Sequence, residues 1–149
     1  MSDENLLRLL RGDLESIRLA ATSLDKSLAK CAKLTPEPRQ SFEVEETFDA
    51  LTSRFARTAD ILTQKVLKTT VLLLREDAPT FIDRMNLCEK LGMIPSADEL
   101  IAIRDLRNMI AHEYATENLL ELYADTVRAS PTLLNAVSAA TGFVENRFA

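Results

Sequence analysis

Tryptophan is absent from this 149-residue chain, glycine occurs three times, proline five times and histidine once. So few turn-forming residues cannot supply the reversals of an all-β fold, whereas the stronger helix formers Leu, Ala, Glu, Lys and Arg abound. The only two cysteines, Cys31 and Cys88, have neither a CxxC spacing nor a nearby histidine. Both therefore read as small core residues in a reducing compartment. No apolar run exceeds the four residues of Val71-Leu72-Leu73-Leu74, far short of the roughly twenty that span a bilayer. An excess of positive charge is missing too. Lys and Arg total 18 against 23 Asp and Glu, a formal net charge of -5, so any contact with nucleic acid has to be local rather than a property of the whole surface. Glycine-rich phosphate loops and a G-x-S-x-G elbow are lacking, which sets aside P-loop nucleotidases and α/β-hydrolases. A lone histidine without cysteine or carboxylate partners at ligand spacing argues against a transition-metal site.

What is present is enough apolar material, 46% of residues, to bury one core without staples. Residues 1–149 are expected to form a single all-α domain, an antiparallel bundle of about five helices. No internal repeat, low-complexity tract or run of like charge divides the chain. The acidic start Met-Ser-Asp-Glu-Asn and the interruptions at Arg8 and Arg11 do not fit a signal peptide, and a cytoplasmic location away from membranes is the expectation.

Leu7, Leu10, Leu14, Ile17, Ala21, Leu24, Leu28 and Cys31 alternate spacings of three and four and predict one long helix, with Gly12 as a weak spot inside it. After Thr35-Pro36-Glu37-Pro38, a second long helix is predicted from near Ser41, burying Phe48, Leu51, Phe55, Leu62, Val66 and Leu73 and ending before Asp77-Ala78-Pro79. Each of these two is about thirty residues, or about 45 Å at 1.5 Å per residue. A shorter third helix turns Phe81, Met85, Cys88 and Leu91 inward and stops around Gly92 and Pro95. Ser96-Ala97-Asp98-Glu99 has the form of a capping box and opens a fourth helix, which buries Leu100, Ile103, Leu106 and Ile110 and runs out near Tyr114. A last helical region begins with Leu119, Leu120, Leu122 and Val127, and Ser130-Pro131 is expected to interrupt or restart it.

The fourth helix carries the densest chemistry. Arg104, Asn108 and His112 follow one another at intervals of four and form a polar stripe. Arg107 stands about 140° from His112 on an ideal helix, which hints at a site shared between helices. Any amphipathic helix has a solvated face, and Arg104, Asp105, Arg107 and Glu113 taken singly need no other explanation. The cluster of two arginines, an asparagine, the only histidine and Tyr114 within eleven residues favours a functional reading.

Arg107, four residues, His112, one residue and Tyr114, with Asn108 directly after the arginine, resembles the R-x4-H-x-Y motif of the HepT-like branch of the HEPN superfamily. HEPN domains are helical bundles with two long helices before the motif helix, as the periodicity here suggests independently. The resemblance implies a toxin-like, metal-independent endoribonuclease without cofactor, acting as a homodimer in which the motifs of two protomers face one another. The implied catalytic residues are Arg107 and His112, with Arg104 and Asn108 supporting RNA binding. Cleavage by attack of the adjacent 2'-OH needs one group to take a proton and another to return one, and histidine can do either near neutral pH. One His112 cannot readily do both at once, and a dimer would bring a second. The charge on the phosphoryl oxygens suits the fork of an arginine. Asn108 is placed either to orient His112 or to hold a phosphate oxygen, and Arg104 to add local positive potential.

For Tyr114 the resemblance implies adenylylation by a partner minimal nucleotidyltransferase acting as antitoxin, which would set phosphate charge beside Arg107 and His112. The plainer reading of Tyr114 is a side chain packed at the bundle edge with its hydroxyl outward. The other functional class is a non-catalytic substrate-binding or regulatory subunit of such a nucleotidyltransferase, built on the same bundle.

Overall fold

The computed structural model describes residues 2–112 and 118–148, and within them the chain is helical, with no strand. Helix α1 covers Asp3–Cys31. Helix α2 is one continuous rod over residues 42–73, formed by Phe42–Ile61, a π-helical turn at Leu62–Val66 and Leu67–Leu73. Helices α3, α4 and α5 cover Phe81–Lys90, Ala97–His112 and Leu119–Phe148.

Side-chain caps start the first four helices where the sequence offers a hydroxyl. The Oγ of Ser2 accepts from Asn5 N at 3.2 Å, that of Ser41 from Val44 N at 3.2 Å, and Oγ1 of Thr80 from Asp83 N at 3.1 Å. Ser96 Oγ accepts from Glu99 N at 3.3 Å, the serine half of the expected box, while Ala97 N donates to Glu89 Oε1 of α3 at 2.8 Å. The fourth helix is thus tied at its start to the third. Gly92 closes α3 with φ at 81°, and Met93 N donates to Cys88 O at 2.8 Å, a reversal that glycine makes without strain.

Helices α1 and α2 run antiparallel, because Arg75 at the end of α2 pairs with Asp3 at the start of α1, and Cys31 at the end of α1 lies beside Thr47 early in α2. Helix α5 lies alongside both. Tyr123 near its start stacks on Phe48 with ring centres 5.0 Å apart and donates its hydroxyl to Asp49, while Glu145 near its end pairs with Arg18 of α1. The core is one cluster that includes Leu10, Ile17, Leu24, Phe48, Phe55, Leu62, Met85, Leu100, Ile103, Tyr123, Leu133 and Ala140. Cys31 and Cys88 are free thiols buried in it, and burial pushes the Cys88 thiol up to about 12. No helix of the described residues is long and apolar enough to cross a membrane.

Three expectations need correction. The buried face of α1 takes in Leu6, Asp13, Ala20 and Ser27, while Leu7, Ala21 and Leu28 sit at its flanks. Ser27 is met there by Arg54 of α2, which reaches across and donates to its Oγ at 2.7 Å. In α2, Leu67, Thr70 and Val71 are buried and Leu73 is only half-buried. The wider π turn changes the phase of the stripe, which a regular period of 3.6 cannot anticipate. Pro131 neither interrupts nor restarts a helix, and α5 runs through it. Leu122, Tyr123, Thr126 and Ser130 before the proline and Leu133, Ala136, Val137 and Ala140 after it lie on one buried face. Burial of that shared face outweighs the lost backbone bond. The hydroxyls of Thr126 and Ser130 donate to Leu122 O and Thr126 O, each at 2.7 Å, which is how polar residues are accommodated in this interior.

Candidate functional site

Helix α4 packs against α2 and α5 through Leu100, Ile103 and Leu106. That orientation turns Arg104, Arg107 and Asn108 toward the stretch of α2 that contains the π turn. Between the two helices lies an open cleft of about 720 Å³ whose polar lining includes Ser53, Arg57, Asp60, Thr63, Gln64 and Lys65 from α2 and Arg104, Arg107 and Asn108 from α4. Four cationic side chains face one carboxylate among these residues, in a chain whose net charge is -5. This excess of cations over Asp60 gives the cleft a local positive potential.

Arg107 is held in a fixed pose. Its Nε donates to Asp60 Oδ1 at 2.7 Å and its Nη2 to Asp60 Oδ2 at 2.8 Å, a bidentate fork on which Nη1 takes no part. The hydrogen bond to Asp60 raises the guanidinium further above its ordinary value, against the opposing effect of burial, so Arg107 stays charged at any working pH. Arg104 is held differently. Its guanidinium carbon lies 4.3 Å from the centre of the Phe81 ring, close enough for a cation–π contact. Its nearest carboxylate contact is long, Nη2 to Asp105 Oδ1 at 3.7 Å. Its buried Nε has no hydrogen-bond partner among the described residues.

The structure therefore brings Arg104, Arg107 and Asn108 together on one wall, and adds Arg57, Asp60 and Lys65 on the other. His112 is the last residue of α4, exposed, one turn beyond Asn108, and is not among the residues lining the cleft. Tyr114 lies outside the described residues. No group of three or more His, Cys, Asp or Glu side chains able to hold a metal ion occurs among the described residues.

Sequence reasoning missed Arg57, Asp60 and Lys65. They belong to a helix recognised by its apolar stripe alone, and the π turn that carries Lys65 leaves no local signature. The arginine and aspartate three residues apart in α2 are the one trace, an unremarkable pair on any exposed helix face. No protein-family model, curated protein or solved structure matches this chain.

Proposed function

We propose that the cleft between α2 and α4 engages the phosphodiester backbone of RNA, and that the chain is a metal-independent endoribonuclease of the HepT-like kind that its Arg107–His112–Tyr114 spacing resembles. The observation that carries this reading is the convergence of Arg57, Lys65, Arg104 and Arg107 on one cleft of an acidic protein. Phosphate binding needs this local field, and the overall charge does not provide it.

In this reading the 2'-OH of one nucleotide attacks the adjacent phosphorus, its proton passing to a histidine. The bond from phosphorus to the 5' oxygen breaks, and that oxygen takes a proton from a second group. The products end in a 2',3'-cyclic phosphate and a 5'-OH. Arg107, oriented by Asp60, offers Nη1 to the phosphoryl oxygens as charge develops there. His112 serves proton transfer, and a homodimer supplies the second His112. A partner minimal nucleotidyltransferase, acting as antitoxin, transfers adenylate from ATP to the Tyr114 hydroxyl, releasing pyrophosphate and the phenol proton, and so sets a competing phosphate in the motif.

The test compares the protein with His112→Ala and Arg107→Ala on single-stranded RNA in EDTA, scoring cyclic phosphate ends. Cleavage by the wild type and a loss of about a hundredfold or more in His112→Ala are expected, the usual weight of a proton-transfer group. A wild type as inert as its variants, in a confirmed dimer, sinks the reading.

A second reading is favoured by two facts of the geometry: Asp60 already occupies Nε and Nη2 of Arg107, and His112 stands outside the cleft lining. Here the chain is a non-catalytic subunit that binds nucleic acid or docks a nucleotidyltransferase. RNA binding that survives with no cleavage at all selects this reading.

A further inference from the structure

Arg104 is the one cation of the cleft set against an aromatic ring, and this sets it apart from the other three. Arg57 and Lys65 are exposed, and Arg107 is engaged edge-on by Asp60. Arg104 instead lies over Phe81 of α3 at 4.3 Å, with Nε buried and unpartnered among the described residues and about a third of its side chain exposed. A guanidinium is planar and weakly hydrated and stacks on flat π surfaces, which an ammonium does not. Held against Phe81 with its Nε buried, the group has lost much of its freedom before any ligand arrives.

We propose that Arg104 and Phe81 form a stacking platform for one unpaired nucleobase of single-stranded RNA, the base lying on the face of the guanidinium away from Phe81, while Arg57 and Lys65 across the cleft take the phosphates flanking that nucleotide. The cleft volume of about 720 Å³ leaves room for a nucleoside with its phosphates. Stacking accepts every base, since each has a π face, and requires the base to be out of a duplex. The platform thus selects single strands over double-stranded RNA and gives little sequence preference. The inference rests on the RNA reading of the cleft but not on its cleavage step, and it assigns to Arg104 a contact with a base where its place on the polar stripe suggested only local positive potential.

The test is fluorescence anisotropy of a 5'-labelled single-stranded RNA octamer with the full-length protein carrying His112→Ala, so that no cleavage intervenes. A second probe is the same octamer with abasic ribose at every position. Arg104→Lys keeps the charge and removes the plane. It is expected to weaken binding of the base-bearing octamer about fivefold or more, the lower end of base-stacking contributions, and to leave the abasic octamer within about twofold. Phe81→Leu, which keeps the apolar contact with the core, is expected to shift the same way. In a salt titration the Arg57→Ala, Lys65→Ala double variant is expected to reduce the log–log slope by about 1.4, from about 0.7 per phosphate on a single strand. Duplex RNA is expected to compete poorly, and adenosine monophosphate only at far higher concentration than the octamer.

Equal losses on the two octamers in Arg104→Lys, or no loss in either Arg104→Lys or Phe81→Leu with melting curves unchanged, overturn the platform. An unchanged slope in the double variant overturns the phosphate assignment, and adenosine monophosphate binding as tightly as the octamer overturns the strand as ligand. None of these outcomes depends on whether the wild type cleaves RNA.

Discussion

Asp13 is a carboxylate on the buried face of α1, only 7% exposed, and its Oδ2 has no hydrogen-bond partner among the described residues. Burial raises its pKa above the ordinary aspartate value, and the attraction of Lys65 opposes that only in part. Replacing it by leucine removes the desolvated acceptor and adds apolar contact at a position flanked by Leu10, Leu14 and Ile17. A buried polar group without its bond costs about 1–3 kcal/mol, and the better helix propensity of leucine adds a few tenths. Asp13→Leu is therefore expected to raise stability at pH 7.5 by about 2 kcal/mol, or a Tm increase of about 4–8 °C for a chain of this size. The gain also has a pH signature. A carboxyl whose folded pKa is raised costs nothing below its unfolded value, near 3.9, and costs most once pH exceeds the folded value. The gap between variant and wild type, measured by thermal melts followed by circular dichroism, should be widest at neutral pH and narrow as pH falls toward about 4. A gap of the same size at both ends, or a variant that melts lower at pH 7.5, would refute the idea that Asp13 is a buried charge only partly compensated by Lys65.

Two further predictions concern α1 and the cleft. Gly12 sits inside α1, where an added Cβ would meet nothing within 4 Å, so Gly12→Ala should stabilise by about 0.5–1 kcal/mol and raise Tm by a few degrees; an unchanged or lower Tm counts against an unstrained helical glycine there. Asp60→Asn removes the carboxylate facing four cations. Because the pair is partly exposed, the loss of stability should stay near 1 kcal/mol or less, while single-stranded RNA binds more tightly at low salt. Weaker binding in a folded Asp60→Asn protein would mean that the pose of Arg107 matters more than the net charge of the cleft.

The residues that could be read from the sequence are those whose role is set by their own helix. The long amphipathic α1 and α2, the Ser96 cap and the burial of Met85, Cys88, Leu100, Ile103 and Leu106 follow from spacing and hydroxyl position, and so does the presence of Arg104, Arg107 and Asn108 together on α4. What stayed hidden depends on a second helix. Asp60 becomes the partner of Arg107 only after α4 docks on α2, forty-seven positions away in sequence. Phe81 reads as a core residue until Arg104 is seen above it. Ser27 and Asp13 are polar residues outside the apolar pattern of the first helix, yet both are buried, because the phase of the helix carries them inward, where Arg54 donates to Ser27. The path of α5 through Pro131 was likewise decided by two apolar half-stripes that coincide, against a residue that usually ends a helix.

The π turn at Leu62–Val66 gives α2 one place where its length can change. A turn of this kind holds one residue more than a regular α-helical turn. Deleting Gln64 would let the rod close into an unbroken α-helix with its two halves close to their present phase, whereas a deletion in either regular half would rotate one part against the other by about 100°. Leu67, Thr70 and Val71 would then keep to the core on loss of Gln64, and Arg57 and Asp60 to the side of α4. A frame-preserving loss of one codon is thus absorbed at the π turn, and elsewhere along the rod it would disconnect the two walls of the cleft.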